Sequence, residues 1–589
     1  MATKLKEVDV VIVGMGWTGG IMAKELSDAG LTVVGLERGA PRSGADFSVP
    51  MIRDELRYAV RNELFVDVSR DTLTFRNTPG QQALPMRRLG SFLPGEGVGG
   101  AGVHWNGQTY RLSPHDHALR SRVEERYGKS FIPQDMQLAD WPMSYAELEP
   151  HYDRFEYMAG ISGKAGNIAG RIVEGGNPFE GPRAREYPNP PLKPSLASEM
   201  FTETTRKLGY HTFPRPAANM SRPYTNPDGI QLGECQYCGF CENFGCEANA
   251  KASPHITVIP AALRNKNFSL KPYAWVTRVN LAADGKRATG VSYTSVQTGE
   301  EFEQPAGLVI LCAYGFGNVH LMLLSGIGKP YDPVSETGTV GKGYCYQVAT
   351  VVQSFFEDRI FNPFMGAGSL GVVIDDFNGD NFDHGPVGYI GGASIYSASL
   401  GGRPINQRGV PPGTPRWGTE WKKATARWYN HTLQMSVQGS NMASRYNYLD
   451  LDPTYRNVFG LPLMRMTYNF TANDEKLSAH LTTVAHDIAR AMGPTHLGAK
   501  TPRRAPYSIV PYQSTHNTGG AIAGRDPGTS ALNRYLQSWD VHNVFVMGAS
   551  AFPHNSGYNP TGAVGALTYW AADAIRTKYL RDPGPLLHT

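Results

Sequence analysis

The run Val8-Asp-Val-Val-Ile-Val13, followed at once by Gly14-Met-Gly16-Trp-Thr-Gly19, restricts the fold more than any other segment. Its mostly β-branched residues read as a buried strand. Residues 21–29 read as a helix, Leu31-Thr-Val-Val-Gly-Leu36 as a second strand, and Glu37 stands at the end of that strand. This is the arrangement a pyrophosphate needs. Gly14 permits the tight turn, Gly16 lets the backbone approach, Gly19 completes the fingerprint, and the helix N-terminus offers unpaired N–H groups. Glu37 is placed to accept hydrogen bonds from an adenosine ribose. A bare GxGxxG is weak evidence in a chain with 66 glycines. Here strand, helix, second strand and acid fall in register, and that register carries the reading of a dinucleotide fold. The alternative is a structural turn with a surface Glu37.

Four of the six cysteines fall in one short run, Cys235-Gln-Tyr-Cys238-Gly-Phe-Cys241-Glu-Asn-Phe-Gly-Cys246. Packing cysteines behave as small hydrophobes scattered singly through a core, whereas close thiolates in a turn-rich segment suit a soft metal. Zinc predicts paired knuckles separated by a longer loop, or histidines nearby. The compact CxxCxxCxxxxC run holds no His, a pattern that iron–sulfur sites favour. Zinc and plain reduced thiols remain alternatives. Of the other two cysteines, Cys312 ends the buried-looking run Leu308-Val-Ile-Leu-Cys312 and reads as core, so this is no disulfide framework.

A chain of 589 residues exceeds one hydrophobic core, so two or more domains are expected. A net charge of +4 with no basic run argues against a nucleic-acid partner. No run of about 18 apolar residues predicts a membrane span, and Met1 to Asp9 lead into the first strand with no apolar signal region. Taken alone that reads as cytoplasmic, with export beside a signal-bearing partner left open.

Two distant segments refine the nucleotide reading: Gly97-Val-Gly-Gly-Ala-Gly-Val-His104-Trp-Asn106, and the stretch from His516-Asn-Thr-Gly-Gly520 to Asn559-Pro-Thr561 with a helix over 565–576. Together with the N-terminal block, Asp526-Pro527, Val544-Phe-Val-Met-Gly-Ala-Ser550 and Leu311-Cys-Ala-Tyr-Gly315, they resemble the glucose–methanol–choline (GMC) family of FAD-dependent oxidoreductases. The resemblance implies an α/β (α+β overall) architecture. A Rossmann-like FAD-binding domain would be assembled from discontinuous segments, 1–165, 225–330 and 500–589, with an iron–sulfur insertion at 233–250. A substrate domain on an antiparallel sheet would comprise 166–224 and 331–499. Residues 269–311 alternate like strands about a turn at Ala283-Asp-Gly285, 474–492 read as a helix, and 175–194 and 378–418 as irregular loops.

Carried over residue by residue, the resemblance assigns FAD contacts to Gly14, Gly16, Gly19, Glu37, Gly99, Gly100, His104, Asn106, Val276, Ala313, Ala549, Asn559, Pro560 and Thr561. His516 becomes the base that takes the substrate hydroxyl proton, since a neutral imidazole suits that task near pH 7; Asn559 would hydrogen-bond the substrate oxygen without titrating. Gly99-Gly-Ala-Gly-Val-His104-Trp105 fits a block through which some relatives bind FAD covalently, here at His104. Beside a flavin, an iron–sulfur cluster gains support, because a two-electron carrier is unloaded one electron at a time.

The sequence is also similar to the large subunits of bacterial three-component dehydrogenases for gluconate, 2-ketogluconate, sorbitol, fructose and glucose. Those carry a 3Fe–4S cluster on three cysteines. Here Cys241 and Cys246 are the firmest ligands, Cys235 against Cys238 is unresolved, and a 4Fe–4S cluster on all four is the alternative. Such likeness implies a multihaem cytochrome c subunit, a small subunit with a twin-arginine signal, quinone as an indirect acceptor, and a place on the periplasmic side of the inner membrane. The blocks Arg88-Leu-Gly-Ser-Phe-Leu-Pro94 to Arg111 and Asn243-Phe-Gly-Cys246 look most like the gluconate-oxidising group. A sugar-acid carboxylate should then meet an arginine, for which Arg445 and Arg504 are unranked candidates. The competing functions are a free-standing flavin oxidase and a non-catalytic electron-transfer module.

Overall fold

Hydrophobic burial places the Val8–Val13 strand at the centre of the molecule, with Val10, Val11 and Ile12 fully inaccessible to solvent. In the computed structural model, which describes residues 2–47, 62–88, 92–398, 409–510 and 513–586, it pairs in parallel on both sides. Val33–Leu36 lies to one side, with Phe268–Lys271 beyond it. Glu301–Leu311 lies to the other, with Val544–Val546 beyond that. All these contacts are parallel, so every connection between them needs a crossover, and the strands are drawn from both ends and the middle of the chain. The long Glu301–Leu311 strand serves twice. Its second half belongs to the parallel sheet, and its first half pairs antiparallel with Ala288–Ser295, which pairs with Ala274–Leu281. The alternating 269–311 stretch therefore extends the nucleotide-type sheet, with Gly285 at φ +68° in the turn.

The first helix is Trp17–Asp28, starting earlier than periodicity suggests. Gly19 and Gly20 lie inside it despite their poor helix propensity. Packing overrides propensity here: a Cβ on Gly20 would lie 2.7 Å from Val258 Cγ1, so only glycine lets the helix sit on its neighbour. The helix Thr561–Ala574 packs against both Trp17–Asp28 and Tyr145–Ala159.

A second sheet has six strands, all antiparallel: His496–Leu497, Val348–Phe355, Thr432–Gly439, Ala393–Ala398, Gly371–Ile374 and Thr212–Pro214. The helix Ala472–Ala491 packs on it and begins in a capping box between Thr471 and Asp474, which satisfies two otherwise orphan N–H groups. Among the described residues no helix is long and apolar enough to cross a membrane. Leu89, Gly90 and Ser91 of the Arg88–Pro94 block, and residues 399–408 of the 378–418 loop, lie outside the described residues.

Candidate active site

Between the two sheets lies a cavity of about 600 Å³, within the range of a cofactor or ligand site. At one end the wall is made by Gly14, Gly16, Leu36 and Glu37. Gly14 has φ +95°, and a Cβ there would lie 2.5 Å from the Cys312 carbonyl oxygen. Gly16 is the N-cap of the Trp17 helix and supplies no side-chain cap, so its first N–H groups are left for an anion. The Glu37 carboxylate accepts N–H from Met15 and Gly39 at 3.0 Å and from Gly97 at 3.3 Å. Burial pushes its pKa up, and those donors oppose the shift. Gly100, His104, Asn106, Val276, Ala313, Ala549, Asn559, Pro560 and Thr561 line the same cavity. Gly19 and Gly99 do not line it. A Cβ on Gly19 would sit 2.0 Å from the Gly14 carbonyl oxygen, and Gly99 N donates to Met15 O at 2.7 Å, so both brace the turn that the cavity wall is built on.

His516 and Asn559 meet at the other end. Asn559 Nδ2 lies 3.0 Å from His516 Nε2, and the flanking amides settle which atoms carry protons. Gln347, fully buried, donates through Nε2 to the carbonyls of Ser556 (2.9 Å) and Tyr558 (3.1 Å). Carbonyls only accept, so Gln347 turns its Oε1 to His516 Nδ1. Nδ1 must then bear the hydrogen, and Nε2 presents its lone pair. On the far side Gln438 Nε2 donates to Asn559 Oδ1 at 2.8 Å, which leaves Asn559 Nδ2 as the donor to His516 Nε2. Tyr396 Oη completes the line, 3.4 Å from Gln438 Oε1. One oriented chain, Tyr396–Gln438–Asn559–His516–Gln347, thus fixes a single tautomer. Burial alone pulls the His516 pKa down to about 4, so the ring is neutral at neutral pH and its Nε2 lone pair is free to accept a proton.

Gln347 and Gln438 were not foreseen from sequence. Both belong to the antiparallel-sheet region, where Val348 pairs with Gly439 and Ala349 with Gln438. Alternate residues Gln434, Ser436 and Gln438 line the cavity together with Tyr396. This wall is polar enough to meet a polyhydroxylated ligand.

His104 is 4% exposed, and among the described residues its Nε2 has no partner. Burial, then the charges of Lys251 and Arg42, pull its pKa down to about 3, so a neutral ring lines the cofactor-sized space. The cysteine run packs directly behind this segment. Asn243 N donates to His104 O at 2.7 Å, and Glu242 and Asn243 line the cavity. Lys251, fully buried, is the strut between them: its Nζ donates to Trp105 O (2.6 Å), Cys241 O (2.7 Å) and Phe244 O (2.8 Å).

The sulfurs also receive donors, from Asn219 Nδ2 to Cys241 (3.5 Å), Tyr237 N to Cys235 (3.5 Å) and Ala250 N to Cys246 (3.3 Å). No disulfide joins these cysteines. Their chemistry and N–H donors suit a thiolate-bound group. Among the described residues, however, no three His, Cys, Asp or Glu side chains converge as a closed metal-ligand set. Of the carboxylate-binding candidates, Arg445 pairs with Glu336 at 2.7 Å and with the Pro333 carbonyl, and Arg504 is exposed. Neither lines the cavity, whereas Arg503 does.

The chain matches the GMC oxidoreductase family over residues 196–348 and 443–568. It is 49% identical to a gluconate 2-dehydrogenase flavoprotein of Pantoea cypripedii, over 100% of this chain and 96% of that one. It is 25% identical to the fructose dehydrogenase large subunit of Gluconobacter japonicus, over 98% and 99% of the two chains. Among solved structures, formate oxidase of Aspergillus oryzae superposes with a TM-score of 0.61 over 98% of this chain and 100% of that one, at 14% identity, which speaks to the fold alone. Geometry and likeness agree: the chain belongs to the GMC oxidoreductase family and is an FAD enzyme acting on CH–OH groups.

Proposed function

We propose that the protein is the flavoprotein subunit of a sugar-acid dehydrogenase that oxidises gluconate to 2-ketogluconate. The observation that carries this reading is the oriented chain that leaves the His516 Nε2 lone pair to accept a proton. Nε2 takes the proton of the substrate hydroxyl while Asn559 Nδ2, its present neighbour at 3.0 Å, donates to the same oxygen. The Nδ1–H bond to Gln347 stabilises the imidazolium as it forms. FAD, when bound, supplies the hydride acceptor. The polar residues of the central antiparallel strand hold the remaining hydroxyls. The substrate choice follows the Pantoea relative, and 2-ketogluconate, sorbitol, fructose and glucose are the runners-up.

The unpartnered His104 Nε2 supports a covalent attachment of FAD at that residue. Cys235, Cys238, Cys241 and Cys246 would hold an iron–sulfur cluster, 3Fe–4S in preference to 4Fe–4S. Bound there, it would supply a one-electron carrier against the flavin segment. The subunit names among the relatives favour partners: a multihaem cytochrome c subunit leading to quinone, and a small twin-arginine subunit that places the complex on the periplasmic side of the inner membrane. The test is anaerobic: gluconate should bleach the bound flavin and yield 2-ketogluconate. Acid-precipitated protein should stay yellow, and the purified chain should contain iron and acid-labile sulfide. Zinc without sulfide contradicts the cluster, flavin released entirely into the supernatant contradicts the His104 link, and a flavin untouched by any sugar acid contradicts the substrate class.

A further inference from the structure

Five charged side chains stand on the cavity wall: Glu37, Arg38, Asp71, Glu242 and Arg503. Arg38 pairs with Asp71 at 3.2 Å, and Glu37 is taken up by backbone N–H groups. Arg503 differs. Its Nε donates to the Ala349 carbonyl at 2.7 Å, and among the described residues its two terminal nitrogens meet neither a protein acceptor nor a carboxylate. Its backbone is held too, since Arg503 N donates to Ser478 Oγ at 2.8 Å on the Ala472–Ala491 helix. The planar fork is therefore fixed at one edge and presented by the other.

Its position relative to the chemistry follows from strand register. Ala349, which anchors the guanidinium, is the cross-strand partner of Gln438. Gln438 is the residue that holds Asn559 against His516. A ligand spanning this short stretch of wall can place a hydroxyl between His516 and Asn559 and an anionic group on Arg503. Burial pulls the guanidinium below its ordinary pKa with only the Tyr346 and Tyr507 hydroxyls opposing, so among the described residues the half-buried cation has no counter-charge. Such a group is completed by an anion, and a carboxylate matches the fork two oxygens to two nitrogens.

Arg215, whose Nε and Nη2 also lack partners among the described residues, is 2% exposed, stacks 4.2 Å from the Tyr396 ring and does not line the cavity.

We propose that Arg503 binds the carboxylate of the substrate and is the residue by which this site selects sugar acids over neutral polyols. The proposal rests on the sugar-acid reading given above and names the residue that makes it. Arg503→Met and Arg503→Lys, purified with their FAD, test it by two readouts. The first is binding of 2-deoxygluconate, which keeps the carboxylate but lacks the hydroxyl to be oxidised, followed by perturbation of the flavin spectrum. The second is kcat/KM for gluconate against sorbitol with an artificial electron acceptor.

Arg503→Met should weaken 2-deoxygluconate binding about 10- to 150-fold, the range for a lost charge-assisted pair. It should lower gluconate kcat/KM by at least about tenfold more than sorbitol kcat/KM, and Arg503→Lys should recover part of the loss. Equal losses for gluconate and sorbitol would mean that Arg503 serves the fold or the flavin, and would overturn the proposal. Unchanged 2-deoxygluconate binding in both variants would overturn it as well. If the wild type oxidised only neutral polyols, the substrate reading would fail by itself, and the binding arm would still report whether Arg503 holds a carboxylate.

Discussion

Replacing Gln347 with leucine keeps the side-chain volume near its native value and removes both ends of a fully buried amide. Three hydrogen bonds disappear: Oε1 to His516 Nδ1, and Nε2 to the carbonyls of Ser556 and Tyr558. His516 then has no acceptor for Nδ1–H and can swap its proton to Nε2, the atom that must be bare. Leaving one buried donor unsatisfied costs roughly 1–3 kcal/mol, which at about 1.4 kcal/mol per tenfold is a rate loss of roughly 5- to 150-fold. Gln347→Glu keeps the acceptor and adds a charge beside the imidazole. An adjacent opposite charge raises a pKa by roughly 1–3 units, so the acid limb of the rate profile should move up from about 4. The assay is stopped-flow bleaching of the flavin by gluconate, without oxygen, across pH. If Gln347→Leu reduced its flavin within a factor of about two of wild type, with the same acid limb, the orienting role of Gln347 would be wrong.

Further outcomes follow from the same contacts. Lys251→Met strips donors from the Trp105, Cys241 and Phe244 carbonyls and should cost about 3 kcal/mol or more. Loss of flavin absorbance, together with loss of any iron that the wild type carries, would mark it as the strut between the two segments, whereas wild-type denaturation midpoints would refute that role. Burial holds His104 and His255 near 3 and His117, His516 and His554 near 4. The unfolded chain takes up protons near 6.5 and the folded one only well below that, so stability is full above about 6.5 and falls as pH drops towards 4. Urea midpoints should therefore be lower at pH 5 than at pH 7, and a higher midpoint at pH 5 would contradict the buried neutral histidines. Gly565→Val would drive a side chain into the Phe155 ring, which an added Cβ already meets at 2.1 Å; it should destabilise the protein by roughly 1–3 kcal/mol, read as a lower thermal midpoint.

How far the site could be read from sequence depended on how local each signal was. The turn from Val13 through Gly16 to Glu37 is a contiguous strand–turn–helix–strand, so its residues announce their own geometry. His516 and Asn559 were found only because their flanking segments resemble a known family; the 3.0 Å contact between them is a tertiary fact. Gln347 and Gln438 carry no motif. They are glutamines in a region with irregular spacing, and they matter because Val348–Phe355 and Thr432–Gly439 pair in one particular register. Arg503 and Arg504 show the limit most plainly. Adjacent in sequence and alike in chemistry, they differ because the backbone of Arg503 is tied to Ser478 and turns its side chain inward, while Arg504 is exposed. The cysteine run was conspicuous from the start, yet its docking against His104 depends on Lys251, whose burial nothing in the local sequence signals.

The central claim is that His516 Nε2 takes the substrate proton. The most direct measurement is the anaerobic flavin-reduction rate of His516→Ala with gluconate, at wild-type flavin content. Loss of the general base should slow reduction by roughly 10²- to 10⁴-fold, with a larger residual rate as pH rises and the alcohol ionises unaided. Reduction at near the wild-type rate, with an unchanged pH dependence, would contradict the account.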